Sequence, residues 1–571
     1  MDYALAYEKI SSRLIASADG KDHWRGELSA SALSTAVAVS ALFLTNDTAH
    51  KELAENGLKW LAENQNKDGG WGDTIKSRSN LPTTLLVDAA FTLSGNISKY
   101  EKCLKGSSAY LSNKAGKSIE ERIAGLYKIY GKDKTFVVPI LVNLALAGKV
   151  SWEKIPLLPF EIAILPFTFY RMIGLPVVSY ALPALISMGQ VVHHKRNSKN
   201  ILKTMARPFT LKKLGYIQPE SGGYLEAIPL TAFVVMSLIP VYGCEHPVVI
   251  KGLRFLKDTV KKDGSWAIDS DLSQWLTTQA VQALAVSGKE LKGAKEWIAG
   301  NQTKRRHKYT DSAFGAWGWS DLSGSVPDAD DTSSALIALY NTENKGSLEA
   351  AKKGVKWLLD IQNGDGGFPT FCRGWTELPF DKSTADITAH ALRALALWKG
   401  RTDQEARIEK ALKRGLEYLR KTQDNDGSWS PLWFGNEQAL GSSNKVYGTA
   451  RVLAMYRDLK LTANTEAQKG MKYLLTSQDE DGGWGGAKGI QSSFEETALA
   501  VIGLAGYTGE SLARTAFFRG AEYLTGRIIR EDYEPAPIGL YFQSLWYFER
   551  LYPLVWGTAA MGEVLNAQAG S

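Results

Sequence analysis

The sequence has little of what a disulfide- or metal-stapled protein needs. Three cysteines, Cys103, Cys244 and Cys372, stand far apart in 571 residues. An odd, scattered set excludes a disulfide framework and favours a reducing compartment. The seven histidines form no zinc-like spacing with them, so neither a metal nor another cofactor is expected. The formal net charge is only +7, and no DNA- or RNA-binding motif accompanies it, so nucleic acid is not an expected partner. Residues 1–17 carry charges throughout and lack the apolar core of a signal peptide. These shortages describe a cytoplasmic protein of ordinary apolar content, 44%, long enough for more than one domain.

Tryptophan, by contrast, is plentiful and recurs in register. Gln65-Asn66-Lys67-Asp68-Gly69-Gly70-Trp71 returns at 362–368, 423–429 and 478–484, always with six steps from Gln to the aromatic. Weaker copies lie at 218–224 and 262–266, and a stretched one runs from Gln302 to Trp317. Eleven residues before the aromatic stands another: Trp60, Phe255, Trp357, Tyr418 or Tyr473. An amphipathic, lysine-rich pattern precedes each motif and a nearly all-apolar one follows it, so the unit reads as outer helix, Asp-Gly turn, inner helix. Consecutive hairpins of this kind close into a toroid. The sequence predicts an all-α protein of two α-α barrels, one over 16–245 and one over 246–571 joined by an N-terminal helix at 1–15.

One stretch of the first barrel breaks the pattern. Residues 155–192 are strongly apolar, yet Pro156, Pro159, Pro166, Pro176 and Pro183 interrupt them, with Glu161 and Arg171 inside. That composition fits a membrane-spanning helix poorly. It fits either a buried inter-domain segment or a ledge dipping into one leaflet. The basic run His193-His194-Lys195-Arg196, followed by Lys199, Lys203, Arg207, Lys212 and Lys213, favours the ledge, because cations suit an anionic lipid surface. Peripheral membrane association is expected.

The chemistry concentrates at Val326-Pro327-Asp328-Ala329-Asp330-Asp331-Thr332. Proline followed by acids marks a helix N-terminus, where carboxylates also serve as caps. Capping needs one acid, however, and three so close must raise at least one proton affinity. Aligning inner helices on their threonines matches Thr332 with Thr388, Asp330 with Asp386 and Ser334 with His390. Asp330 and His390 then meet at one end of a central cavity. Alone, His390 would suit a core position held by Asp386; beside the acids it is expected to sit protonated and ease loss of the Asp330 proton.

These features resemble those of the squalene–hopene cyclases and other class II terpene cyclases. Their Asp-x-Asp-Asp motif resembles Asp328-Ala329-Asp330-Asp331, their Gln-Trp repeats the copies above, and their Asp-(Val/Ile)-Thr-x-His stretch Asp386 to His390. The resemblance covers nearly the whole chain. It implies that Asp330 protonates a terminal alkene, that Asp328 and Asp331 hold it in place, that His390 assists, and that the polyene then closes ring by ring through carbocations. Such cations need aromatic faces, each worth roughly 1–2 kcal/mol when desolvated. Trp275, Trp319, Phe371, Trp433, Tyr447 and Tyr541 are the candidates, with barrel packing as the rival role of each.

The implied substrate is squalene or a similar linear triterpene. A prenyl diphosphate or another polyprenoid is the alternative, and a protein prenyltransferase-like barrel a remote one, since neither zinc ligands nor a partner chain is indicated. A membrane surface is the other expected partner, and a homodimer is left open. The chain departs from the squalene–hopene pattern in a shorter first barrel, in the segment 366–375, at Leu545 in place of an aromatic, and at Leu86 in place of a glutamate. With Leu86 apolar, Asp88 the nearest acid and Ser34 where another carboxylate might be expected, water would be held poorly, and an alkene product is expected.

Overall fold

The computed structural model describes all residues except 1, 21, 132–133, 167, 170–180, 341, 343, 372–380, 543–544 and 570–571, and the side chains of 134–135. Cys372, Arg171, Pro176 and residues 372–375 of the segment 366–375 therefore lie outside the described residues. Apart from one short ribbon, Gly539–Tyr541 paired with Leu545–Tyr547, the described elements are helices.

Two rings of inner helices organise them. In the first, Ala32–Phe43, Leu81–Leu93, Lys134–Leu146, Leu182–Lys195 and Ile228–Tyr242 each pack on the next and the last on the first. In the second, Ser273–Ala285, Ala329–Ala338, Ala385–Leu397, Lys445–Asp458, Phe494–Leu504 and Tyr552–Ala569 close the same way. Inner helices are buried on all sides: every residue from Leu81 to Phe91 is. Outer helices bury one stripe, as in Glu405–Thr422, where Ile408, Ala411, Gly415 and Leu419 face inward.

The repeat works through three kinds of hydrogen bond. The motif glutamine donates to its own glycine carbonyl and to a carbonyl of the next outer helix: Gln478 reaches Gly482 O at 2.8 Å and Ala516 O at 2.9 Å. The indole N–H donates back to the outer helix of its own repeat, Trp484 to Leu474 O at 2.8 Å. The aromatic backbone N–H donates to a threonine hydroxyl in the first turn of the inner helix, Trp484 to Thr497 at 2.9 Å. The turn glycine is required where chains cross: Gly366 has φ +97°, and a Cβ there would stand 2.5 Å from Arg414 O.

The same bonds show where each ring begins. Trp24 follows helix Tyr3–Ala16, bonds Leu14 O through its indole, and gives its backbone N–H to Thr277 of the second ring. Trp266 follows helix Pro247–Asp258 and gives its backbone N–H to Thr35 of the first. The chain thus exchanges one outer helix at each crossing. The N-terminal helix packs on Tyr552–Ala569 and Pro247–Asp258 on Ile228–Tyr242, so the exchange between rings lies past Trp266 rather than at the expected 245/246.

The apolar interruption also divides differently from the expectation. Its end, Leu182–Lys195, is an inner helix whose Ile186 to His193 are buried. The apolar residues that reach the surface lie before and after it. Leu157 is 49% exposed and Ile164 45%, while on helix Ile201–Ile217 the figures are Ile201 73%, Leu202 72%, Met205 65% and Phe209 62%. The stretch read as merely basic therefore carries the outward apolar stripe, because Lys203 turns inward to Glu161 at 2.6 Å. No described helix is long and apolar enough to cross a membrane.

If the glutamine tie holds each hairpin to its neighbour, Gln478→Ala loses both bonds. The expected cost is about 1–3 kcal/mol, read as a lower unfolding midpoint by circular dichroism; an unchanged midpoint would show that the tie does not hold the hairpins together.

Candidate active site

The acid motif opens helix Ala329–Ala338. Asp328, extended at φ −140°, is its N-cap, and Oδ1 accepts the Asp331 N–H at 2.8 Å. Capping is therefore a real role for one of the three acids, as the isolated stretch allows. The first turn is pinned across the ring by Ala329 N–H on Thr370 O at 2.7 Å. This aims Asp330 inward, where Oδ1 lies 2.5 Å from His390 Nδ1. Arg451, on the following inner helix, brings Nη2 to 3.1 Å of the same His390 nitrogen. The imidazole side chain is fully buried and the Asp330 side chain 17% exposed.

Burial dominates the electrostatics and the neighbours decide its outcome. Burial pushes Asp328 up to about 7 and Asp331 well above the carboxylate range, the second helped by the charge of Asp328. One proton held between these two is the favoured state at neutral pH. Asp330 goes the other way: against burial, His390, by charge and hydrogen bond, and then Arg451 hold it below its ordinary value. Burial, then the Arg451 cation, pull His390 down to about 4. Both act against the protonated His390 that the sequence leads one to expect. Two adjacent buried cations are unfavourable; Arg451 is the permanent charge of this group, and it stands beside the same nitrogen that faces Asp330. A proton placed on Asp330 sits on an unusually strong acid.

Asp330 faces a cavity lined by Leu272, Trp275, Trp319, Thr370, Phe371, Trp433, Phe434, Tyr541, Phe542, Tyr547 and Tyr552 beside the three acids. Five of the six proposed aromatics, Trp275, Trp319, Phe371, Trp433 and Tyr541, line it. Tyr447 does not: it is buried behind Phe434, stacked on it at 4.1 Å. Asp386 is also displaced from its expected part. His390 turns to Asp330 and Arg451, and Asp386 Oδ2 instead accepts the Leu432 N–H at 3.4 Å. Leu86 is buried in its helix, and Asp88 is paired with Lys149 at 2.8 Å; neither is among the lining residues.

Sequence reasoning missed Arg451, Phe434, Phe542, Tyr547 and Tyr552. Arg451 had a signal: it stands two residues after Thr449, as His390 stands two after Thr388. The aromatics lie mainly on loops and the ribbon, where no repeat gives their direction. The assignment of the charge to Arg451 has a direct check. In Arg451→Gln the His390 resonance of ¹³C-histidine-labelled protein should titrate at higher pH than in the wild type; an unmoved titration would contradict it.

A squalene-hopene cyclase C-terminal domain model matches residues 272–527 and the N-terminal domain model residues 8–121, together more than half the chain. The chain is 24% identical to the squalene–hopene cyclase of Alicyclobacillus acidocaldarius over 526 residues, 79% of this chain and 78% of that one. It is 23% identical to enfumafungin synthase of Hormonema carpetanum over 629 residues, 92% of this chain but only 45% of that protein's length. In fold it resembles ent-copalyl diphosphate synthase from Streptomyces platensis, with TM-score 0.61 and 16% identity over 100% of both chains. The chain belongs to the squalene–hopene cyclase family of class II terpene cyclases.

Proposed function

We propose that the protein cyclises a linear, uncharged polyprene of the squalene type, with Asp330 as the acid. The observation that carries this reading is the pairing of one strongly acidic carboxyl with an aromatic cavity. Every described lining residue is aromatic, aliphatic, hydroxyl-bearing or carboxylic, a surface suited to a hydrocarbon rather than to a diphosphate. Asp330 gives its proton to the terminal alkene carbon that bears hydrogen, leaving a tertiary cation. His390 and Arg451 stabilise the carboxylate left behind. Trp275, Trp319, Phe371, Trp433, Phe434 and the tyrosines offer ring faces to the migrating charge, each attracting it by roughly 1–2 kcal/mol, and offer no strong nucleophile to trap it. Asp328 and Asp331 hold the helix turn that aims Asp330. With Leu86 apolar and Asp88 ion-paired, loss of a proton to give an alkene is the proposed ending.

Substrate of this kind partitions into membranes, and the structure offers a surface to meet it. Ile201, Leu202, Met205 and Phe209 form one exposed helix face, with Lys199 and Lys212 nearby in sequence. Burying each such side chain in lipid contributes about 1.5–3 kcal/mol. Peripheral attachment through this face is part of the proposal.

Two experiments test the reading. Asp330→Asn keeps the shape of the site but has no proton to give, so product from squalene should fall at least a thousandfold while circular dichroism is unchanged. Turnover near the wild-type level would show that another acid starts the reaction. Leu202→Glu with Phe209→Glu should release the protein from anionic vesicles in a flotation assay without unfolding it; equal flotation would place the contact elsewhere.

A further inference from the structure

The second ring holds another cavity, on the far side of Arg451 from the aromatic one. It occupies the lumen at the C-terminal halves of the inner helices, and Gln279, Gln282, Arg393, Arg451, Arg457 and Glu563 are among its walls. The three guanidiniums are unequally satisfied. Arg457 bridges Asp458 at 2.9 Å and Glu563 at 2.7 Å. Arg393 gives its Nε–H to Asp458 at 2.7 Å, and its terminal N–H groups make no hydrogen bond to a described residue. At the rim Lys289 pairs with Glu8 at 2.9 Å and Lys295 with Glu290 at 3.9 Å, Glu290 being 75% exposed. Phe494–Leu504 contributes only Leu499 and Ile502 to the wall.

Counting charge by charge, Asp458 and Glu563 balance Arg393 and Arg457. Arg451 is left with one counter-charge, Asp330, reached through His390. The other groups facing this chain, Asp328, Asp331, Asp386 and Tyr447, are buried and held toward their protonated forms, chiefly by that burial. Each time Asp330 takes up its proton, Arg451 therefore loses its partner. The cations are crowded enough that burial, and then Arg451 and Arg457 against the pull of Asp458, hold the Arg393 guanidinium below its ordinary value.

We propose that the lumen binds a small oxyanion between the free N–H forks of Arg393 and Arg451, and that this anion replaces Asp330 as the counter-ion of Arg451 whenever Asp330 is protonated. Planar guanidinium forks match a phosphate-like ion in two-point geometry. The inference rests on the acid role of Asp330 and deepens it: anion uptake and loading of the acid become one coupled equilibrium. Linkage then works in both directions. Protonated Asp330 strengthens anion binding, and bound anion raises the proton affinity of Asp330. The ligand is a separate ion rather than the tail of a substrate, because a chain whose alkene end meets Asp330 in the aromatic cavity extends away from this lumen.

The test uses inorganic phosphate as probe, with chloride at matched ionic strength as control, on the full chain. By equilibrium dialysis at pH 7.5, Asp330→Asn, uncharged at 330 at every pH, should bind phosphate roughly tenfold more tightly than the wild type, and Arg393→Gln weakly or not at all. In turnover, phosphate should shift the basic limb of the wild-type pH–rate profile to higher pH, and chloride should shift it less. Equal phosphate binding by the wild type and Asp330→Asn, or binding by neither, overturns the proposal even if Arg393→Gln does not fold. A wrong acid assignment reads differently, since Asp330→Asn would then still turn over.

Discussion

One contact recurs through both rings: a threonine hydroxyl in the first turn of an inner helix accepting the backbone N–H of an aromatic residue. It joins Trp71 to Thr84, Tyr224 to Thr231, Trp317 to Thr332, Phe368 to Thr388, Trp429 to Thr449 and Trp484 to Thr497, at 2.9–3.1 Å. Each bond alone is worth about 1 kcal/mol. Its larger effect is geometric, since it fixes the height of every inner helix against its turn. Residues two before and two after the threonine then form two levels across the second ring. The first holds Trp275, Asp330, Asp386, Tyr447 and Glu495; the second holds Gln279, Ser334, His390, Arg451 and Leu499. Asp330 meets His390, and His390 meets Arg451, because these levels are in step.

That register accounts for the division of charge. Carboxyls gather at the N-terminal ends of the inner helices, where the dipole favours them, and burial raises most of them: Glu495 to about 8, Glu496 to about 7 and Asp386 to about 6. Asp330 alone among the three motif acids is drawn down, by the neighbours one level deeper. The fold thus places one strong acid among weak ones at the edge of an aromatic cavity. The proposed protonation of an alkene calls for an acid of this kind.

Much of this is legible in the chain. The Gln-to-aromatic spacing marks the hairpins, and alignment on threonine is enough to bring Asp330 to His390. The same alignment carried one repeat further reaches Arg451, and a permanent cation so close disfavours a protonated histidine on charge grounds alone. The boundary at 245/246 failed for a different reason. Trp24 and Trp266 each find their threonine far away in the chain, at Thr277 and Thr35, and a repeat whose inner helix lies more than two hundred residues away leaves no local trace. Tyr447 failed because a ring position fixes height but not direction, and Phe434 took the cavity face. The exposed apolar stripe was hidden because Lys203 turns inward while the apolar residues beside it turn out, which composition does not distinguish.

The central claim is that Asp330 starts the reaction by delivering a solvent-exchangeable proton to a terminal alkene. It is tested most directly by running the reaction on squalene in deuterium oxide and locating the label by mass spectrometry and NMR. One deuterium per molecule, on the ring methylene formed from the terminal alkene carbon, is the expected result. A cyclised product without deuterium at that carbon would contradict the account.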